Sequence, residues 1–179
     1  MALFRAYDPM AEVNGEMILS FISGLGVFRE NALKLLETHG ITNPKSGRWY
    51  SQQAWLDAFS DLNENYGRNC LIMIGKRLPQ NARFPSDIKS VERAMASIDI
   101  SYRMNHRNGR IGSYTFTQTG PRQGRMMCDN PYHCDFDQAL ILTMAEKFKP
   151  PGSMVNIVHQ EGNNCRLSGS DSCVYMINW

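Results

Sequence analysis

The chain has 179 residues, of which 42% are hydrophobic, 10% aromatic and 20% charged. That is enough apolar material for a core and excludes a disordered or collagen-like chain. Nineteen Lys and Arg against seventeen Asp and Glu leave a net charge of +2, so neither nucleic acid nor an anionic membrane is the expected partner. The length fits a single domain over 1–179, with a mainly helical half, 1–97, and a sheet half, 98–179.

No apolar run reaches the roughly 18 residues of a membrane span, and Asp8 interrupts the N-terminus where the apolar core of a signal peptide would run. The expected location is cytoplasmic. Five cysteines, an odd number in a chain long enough to need no staples, fit reduced thiols or a metal site better than a secreted disulfide framework. The 11 Met residues supply adaptable apolar filling, for a plain core or for a yielding pocket.

In the first hundred residues the apolar positions recur at three and four, the period of helix. Met17, Ile18, Phe21, Ile22 and Leu25 form one stripe. Phe28, Ala32, Leu35 and Leu36 form a second, closed at His39-Gly40, and 44–47 is loop. Ser51 caps a helix carrying Trp55, Phe59, Leu62 and Tyr66, ended by Gly67. Cys70, Met73 and Ile74 continue a shorter helix that Pro79 should stop. Ser86 then caps a helix with Ile88, Val91 and Met95.

From residue 98 an alternation takes over, with Ile98, Ile100, Tyr102, Met104 and His106 on one face of an expected strand. Asn108-Gly109 is a hairpin signal, and a bulged turn would pair Met104 with Tyr114 and Tyr102 with Phe116. A third strand is expected over 125–128, then a helix from about Asp135 to Phe148 bearing Phe136, Leu140 and Met144. Two last strands, 154–159 and 173–179, flank a loop rich in Gly, Asn and Ser. The fold class is therefore α+β: N-terminal helices on an antiparallel sheet of about five strands, with one helix inserted before the C-terminal hairpin.

Chemistry concentrates in the last third. Cys165 and Cys173 stand eight apart around RLSGSDS, where they can occupy the two feet of a hairpin. Cys134 precedes Asp135 at a helix start, where the helix dipole favours a thiolate, and His159 ends the strand leading toward Cys165. Three thiolates and an imidazole are a complete tetrahedral set for structural zinc. Free thiols and a Cys165–Cys173 disulfide are the alternatives, because no C-x-x-C knuckle fixes the geometry.

The segment CDNPYHCDFDQALILTMAEKF followed by VNIVHQEGNNCRLSGSDSCVYMINW resembles the end of 4-vinyl reductase-type domains. Those domains are similar in fold to the heme-nitric-oxide-binding domain and to transport-complex subunits of the Golgi. In phenol-sensing activators of this type a zinc is held by Cys and Glu beside a pocket for an aromatic ligand. The resemblance implies Cys165 and Cys173 as the loop cysteines and Cys134 as the earlier one. The glutamate position falls on Gly162, so His159 is taken as the fourth ligand and Glu161 as its reserve.

A second candidate site is an apolar pocket built on Tyr102, Met104, His106, Tyr114 and Phe116 under Trp55, Phe59 and Tyr66, weighed against an ordinary filled core. Heme is a sharper variant, with His106 or His133 as axial ligand. The Tyr-x-Ser-x-Arg propionate clamp of the heme-nitric-oxide-binding family is not matched at 102–107. Arg103, Arg107, Arg110, Arg122 and Arg125 could receive an anion or simply face solvent. No P-loop, G-x-S-x-G, H-E-x-x-H or nucleotide-binding glycine motif occurs, and Asp135 and Asp137 read as dipole-stabilised helix acids.

The sequence thus reads as a non-enzymatic sensory or ligand-binding domain with a structural zinc and a pocket for a small hydrophobic molecule. It is expected to act as a homodimer or through a separate output protein. The alternatives are a tetrapyrrole-binding protein, either a heme sensor or a bacteriochlorophyll-pathway reductase or accessory, and a dimeric protein-interaction module.

Overall fold

The computed structural model describes residues 3–160 and 165–179. Its six α-helices and seven strands, counted among those residues, bear out the α+β class. Helices α1 (Gly15–Gly24), α2 (Arg29–Thr38), α3 (Gln52–Tyr66), α4 (Arg68–Asn81) and α5 (Val91–Asn105) come first; α6 (Cys134–Phe148) lies between the sheet strands. Strands β1 (Glu12–Asn14), β2 (Trp49–Ser51) and β3 (His106–Arg107) form a small sheet in the order β2-β1-β3. Strands β4 (Ser113–Gly120), β5 (Gln123–Asp129), β6 (Asn156–Gln160) and β7 (Cys173–Asn178) form an antiparallel sheet in the order β4-β5-β7-β6.

The helix starts obey local chemistry. Ser51 accepts the backbone N–H of Ala54, as its position predicts, and Gly67 closes α3 at φ 74°, a conformation that costs glycine nothing. Two boundaries differ from expectation. The cap of α5 is Ser90, not Ser86, and Pro79 sits inside the last turn of α4, which runs to Asn81.

The strand expected from residue 98 is helix. Buried Val91, Ala94, Met95, Ile98, Ser101, Tyr102 and Asn105 follow the 3.6 period, whereas Ile100 and Met104 are 50% and 42% exposed. Ile98, Tyr102 and His106 are four apart, a spacing that satisfies both periods. Polar residues hid the helical face: Ser101 donates to the Arg83 carbonyl at 2.5 Å, and the Asn105 amide donates to the Ser101 carbonyl at 2.7 Å.

The expected hairpin pairs therefore do not form. Asn108 and Gly109 do make a positive-φ turn, but it follows β3, which pairs His106 with Val13 of β1. The partner of β4 is β5, in the register Tyr114 to Cys128 and Phe116 to Met126. Strands β1 and β2, three residues each, carry no periodic signal.

Helix α6 is the centre of the fold, buried on nearly every face from Cys134 to Ala145. Gly75 of α4 lets it approach: a Cβ there would lie 2.5 Å from the Phe136 carbonyl oxygen and 2.9 Å from the Ala139 Cβ. Gly75→Ala must push the two helices apart, and we expect a loss of about 1–3 kcal/mol. A urea midpoint within error of the wild type would show that the interface yields freely.

Candidate metal centre

Four separate stretches of chain bring Cys134, His159, Cys165 and Cys173 together, with ligand atoms all within 4.8 Å of one another. Cys134 opens α6; Cys173 opens β7; His159 lies on β6 opposite Tyr175; Cys165 precedes a 3-10 turn, Arg166–Ser168, that Gly169 closes at φ 91°. The Sγ atoms are 3.2 Å (134 to 173), 3.6 Å (134 to 165) and 3.9 Å (165 to 173) apart. A tetrahedral zinc with 2.3 Å bonds to sulfur requires about 3.8 Å between them.

The imidazole of His159 stacks on Tyr175 with centroids 4.6 Å apart, and its Nε2 is buried without a hydrogen-bond partner among the described residues. A buried nitrogen in that position is costly unless it binds something, and a cation beside three sulfurs satisfies it. Cys134, His159 and Cys165 line an open cleft, through which an ion can reach the cluster. All five cysteines are unbridged, which removes the disulfide alternative. Cys70, which donates to the Leu62 carbonyl, and Cys128, opposite Cys173 on β5, stand outside the cluster. Glu161, the reserve ligand, lies outside the described residues, as does Gly162.

The electrostatics favour metal-ready sulfur at Cys173. The hydrogen bond from the Cys134 thiol, and behind it the Arg166 guanidinium, hold Cys173 well below the ordinary thiol range. Cys134, the donor of that bond and itself buried, is pushed far up instead.

Sequence reasoning missed the buried polar group beside these sulfurs. Arg166 and Asp137 form an ion pair with side chains 1% and 0% exposed. Asp137 was legible in principle: it shares the buried stripe of Leu140, Ile141 and Met144, whereas an acid stabilised only by the dipole would face solvent. Arg166 carries no local signal.

The predicted pocket residues do not enclose one ligand-sized space. Tyr102 and Tyr114 line a cavity of about 20 Å³ together with Tyr132, Phe136 and residues of α1, α4 and α5, room for about one water molecule. Trp55 and Phe59 are fully buried in an aromatic cluster with Phe21, Tyr132 and Phe136. Tyr66 packs on Phe28 instead, Phe116 packs at the edge of the core, and Met104 points to solvent because α5 continues through it.

His106 is a satisfied core histidine. Its Nδ1 lies 2.9 Å from the Tyr102 carbonyl, which can only accept, so Nδ1 carries the proton. Its Nε2 then accepts the Tyr132 hydroxyl at 2.7 Å, and that oxygen accepts Trp55 Nε1 at 3.2 Å. Burial lowers the His106 pKa to about 4. His133 caps α6, its Nδ1 accepting the Asp135 N–H, and stacks on Phe4. Arg103, Arg107 and Arg110 pair with Asp99, Glu12 and Asp129 at the surface.

No helix among the described residues is long and apolar enough to cross a membrane. No protein-family description and no curated protein sequence matches the chain. Solved structures do. An H-NOX protein from S. oneidensis in its Fe(II)NO state superposes with TM-score 0.67 at 13% identity, over 92% of this chain and 98% of that one. An oxygen-binding H-NOX domain related to soluble guanylate cyclases gives 0.65 at 13%, over 92% and 94%. An Fe(II) unliganded H-NOX variant from K. algicida gives 0.62 at 13%, over 92% and 95%. At such identities the likeness is one of architecture, and the chain has the H-NOX fold.

Proposed function

We propose that the chain is a sensory domain of the H-NOX and 4-vinyl reductase architecture whose C-terminal half is organised by a Cys3His zinc centre. The observation that carries this reading is the convergence of Cys134, His159, Cys165 and Cys173, with a buried His159 Nε2 that has no hydrogen-bond partner among the described residues. Thiolate sulfur and imidazole nitrogen are the donors zinc prefers. Four protein donors leave no position for an activated water, so the role of the ion is structural. It ties α6 to β6, β7 and the 3-10 turn after Cys165, elements that no hairpin joins to α6.

The fold favours a second reading, a heme sensor, since in one solved protein of this fold a distorted porphyrin modulates the heme redox potential. The side chains here do not fit that group. The space between α5, α6 and β4 is closed by Tyr102, Tyr114, Tyr132 and Phe136 down to about 20 Å³, against roughly 300–1,000 Å³ for a site holding an organic ligand or cofactor. Both ring nitrogens of His106 are engaged, and the Nδ1 of His133 holds the start of α6. A hydrophobic ligand in the same place would have to part the helices from the sheet, and a homodimeric or partner protein would read that movement.

Elemental analysis and an absorption spectrum of protein purified without added metal or chelator test both readings. We expect about one zinc per chain and no Soret band. A Soret band would establish the heme sensor instead, and absence of metal would reduce the cysteines to ordinary buried thiols.

A further inference from the structure

Behind the cysteine cluster lies a buried guanidinium, four of whose five N–H groups meet named acceptors. The backbone N–H and Nε of Arg166 both donate to Cys173 Sγ, at 3.4 and 3.2 Å. Nη1 donates to the carbonyl and, at 2.7 Å, to the side-chain oxygen of Asn130. Nη2 meets Asp137 Oδ2 at 2.5 Å. On the far side of that carboxylate, Oδ1 accepts the Tyr114 hydroxyl at 2.6 Å. Tyr114 is a wall of the small aromatic cavity and meets Tyr102 edge-on, with centroids 5.3 Å apart.

Desolvation opposes a charge buried this deeply, and it is offset only by close pairing and hydrogen bonds such as these. Here the fork serves three directions at once, toward the metal centre, toward the loop before α6, and toward the cavity wall. Hydrogen bonds to a ligating sulfur fix its position and draw off part of its charge, and such outer partners commonly govern metal affinity.

We infer that Arg166 is a positioning residue of the metal centre, holding the Cys173 sulfur and, through Asp137, tying the grip on the metal to the position of Tyr114. The inference rests on the metal reading above and adds a regulation to it: whatever moves Tyr114 changes how firmly the ion is held. The line Tyr114–Asp137–Arg166–Cys173 is a continuous set of charge-assisted bonds joining β4, α6 and β7, so the cavity wall and the sulfur cannot shift independently.

The test is zinc affinity, by competition with a chromophoric chelator, together with the spectrum of the cobalt(II)-substituted protein. Wild type, Arg166→Lys and Tyr114→Phe are compared. Lys keeps the charge and loses the fork, so Arg166→Lys should bind zinc roughly 10–100-fold more weakly and shift the thiolate-to-cobalt charge-transfer band. A purely structural ion pair would leave that band unmoved. Tyr114→Phe, which touches no ligand, should weaken zinc more than twofold and move the band in the same direction. If Arg166→Lys does not fold, Tyr114→Phe alone decides. Affinities within twofold of wild type with unchanged cobalt spectra would overturn the inference. Failure of the wild type to take up either metal would overturn the metal reading itself, a distinguishable result.

Discussion

Cys173→Ser should abolish zinc binding and lower the folding stability by several kcal/mol, on the order of 5. Two losses add at this residue. The first is a ligand: a structural zinc contributes its binding free energy to folding because the unfolded chain has no preformed site. The second is the anionic sulfur that accepts from Arg166, whose Nε and backbone N–H both point at it; a serine hydroxyl offers them a neutral, shorter acceptor and weakens a charge-assisted contact. Cys165→Ser loses the ligand and keeps the Arg166 contact, so it should be the milder of the two. Cys70→Ser, outside the cluster, is the control and should keep its metal. Metal content is read by elemental analysis and stability by urea unfolding with and without chelator. Chelator should lower the wild-type midpoint and leave the Cys173→Ser midpoint unmoved. Stoichiometric zinc in both cluster variants would remove them from the ligand set.

Most of the element order was legible because helix caps and 3.6-residue stripes are local. Ser51, Gly67, and the run from Phe136 to Phe148 each carry their own signal within a turn or two. The failure at 98–107 has a definite cause. Alternation and helical spacing share every fourth residue, so Ile98, Tyr102 and His106 could not discriminate, and Ile100 and Met104 were apolar residues facing solvent. The deciding residues were Ser97, Ser101 and Asn105, buried polar groups whose hydrogen bonds are not visible in a sequence.

The convergence of Cys134, His159, Cys165 and Cys173 was legible from donor chemistry and from the C-terminal resemblance. What stood behind it was not. Arg166 and Asp137 are 29 positions apart, and only the register of β5 on β7 and the seat of α6 bring them together. The same long-range packing closed the expected pocket: Tyr132, contributed by the loop before α6, stands edge-on to Tyr102 with centroids 6.3 Å apart and walls the small cavity beside Tyr102 and Tyr114.

Acid should destabilise the protein through His106, by about 3 kcal/mol between pH 6.5 and pH 4. The folded state holds this imidazole neutral, with burial setting its pKa at about 4, whereas an unfolded histidine titrates near 6.5. Below that value the unfolded chain binds a proton that the folded chain refuses, so stability present above pH 6.5 is lost as the pH falls toward 4. The difference of roughly 2.5 units at 1.36 kcal/mol each gives the magnitude. Other groups titrate in the same window. Asp137, lifted to about 6 by burial against the opposing pull of Arg166, works in the opposite sense, since its folded state takes the proton first. Comparison with His106→Asn isolates the imidazole, because those groups are common to both proteins. The Asn amide can stand in for Nδ1 and donate to the Tyr102 carbonyl, one of the two bonds that His106 makes, and it takes up no proton. Urea unfolding at pH 7, 5.5 and 4.5 should give a wild-type stability curve steeper than that of the variant by about one proton. Parallel curves would mean that His106 accepts a proton inside the fold, and its place in the bond between the Tyr102 carbonyl and the Tyr132 hydroxyl would have to be abandoned.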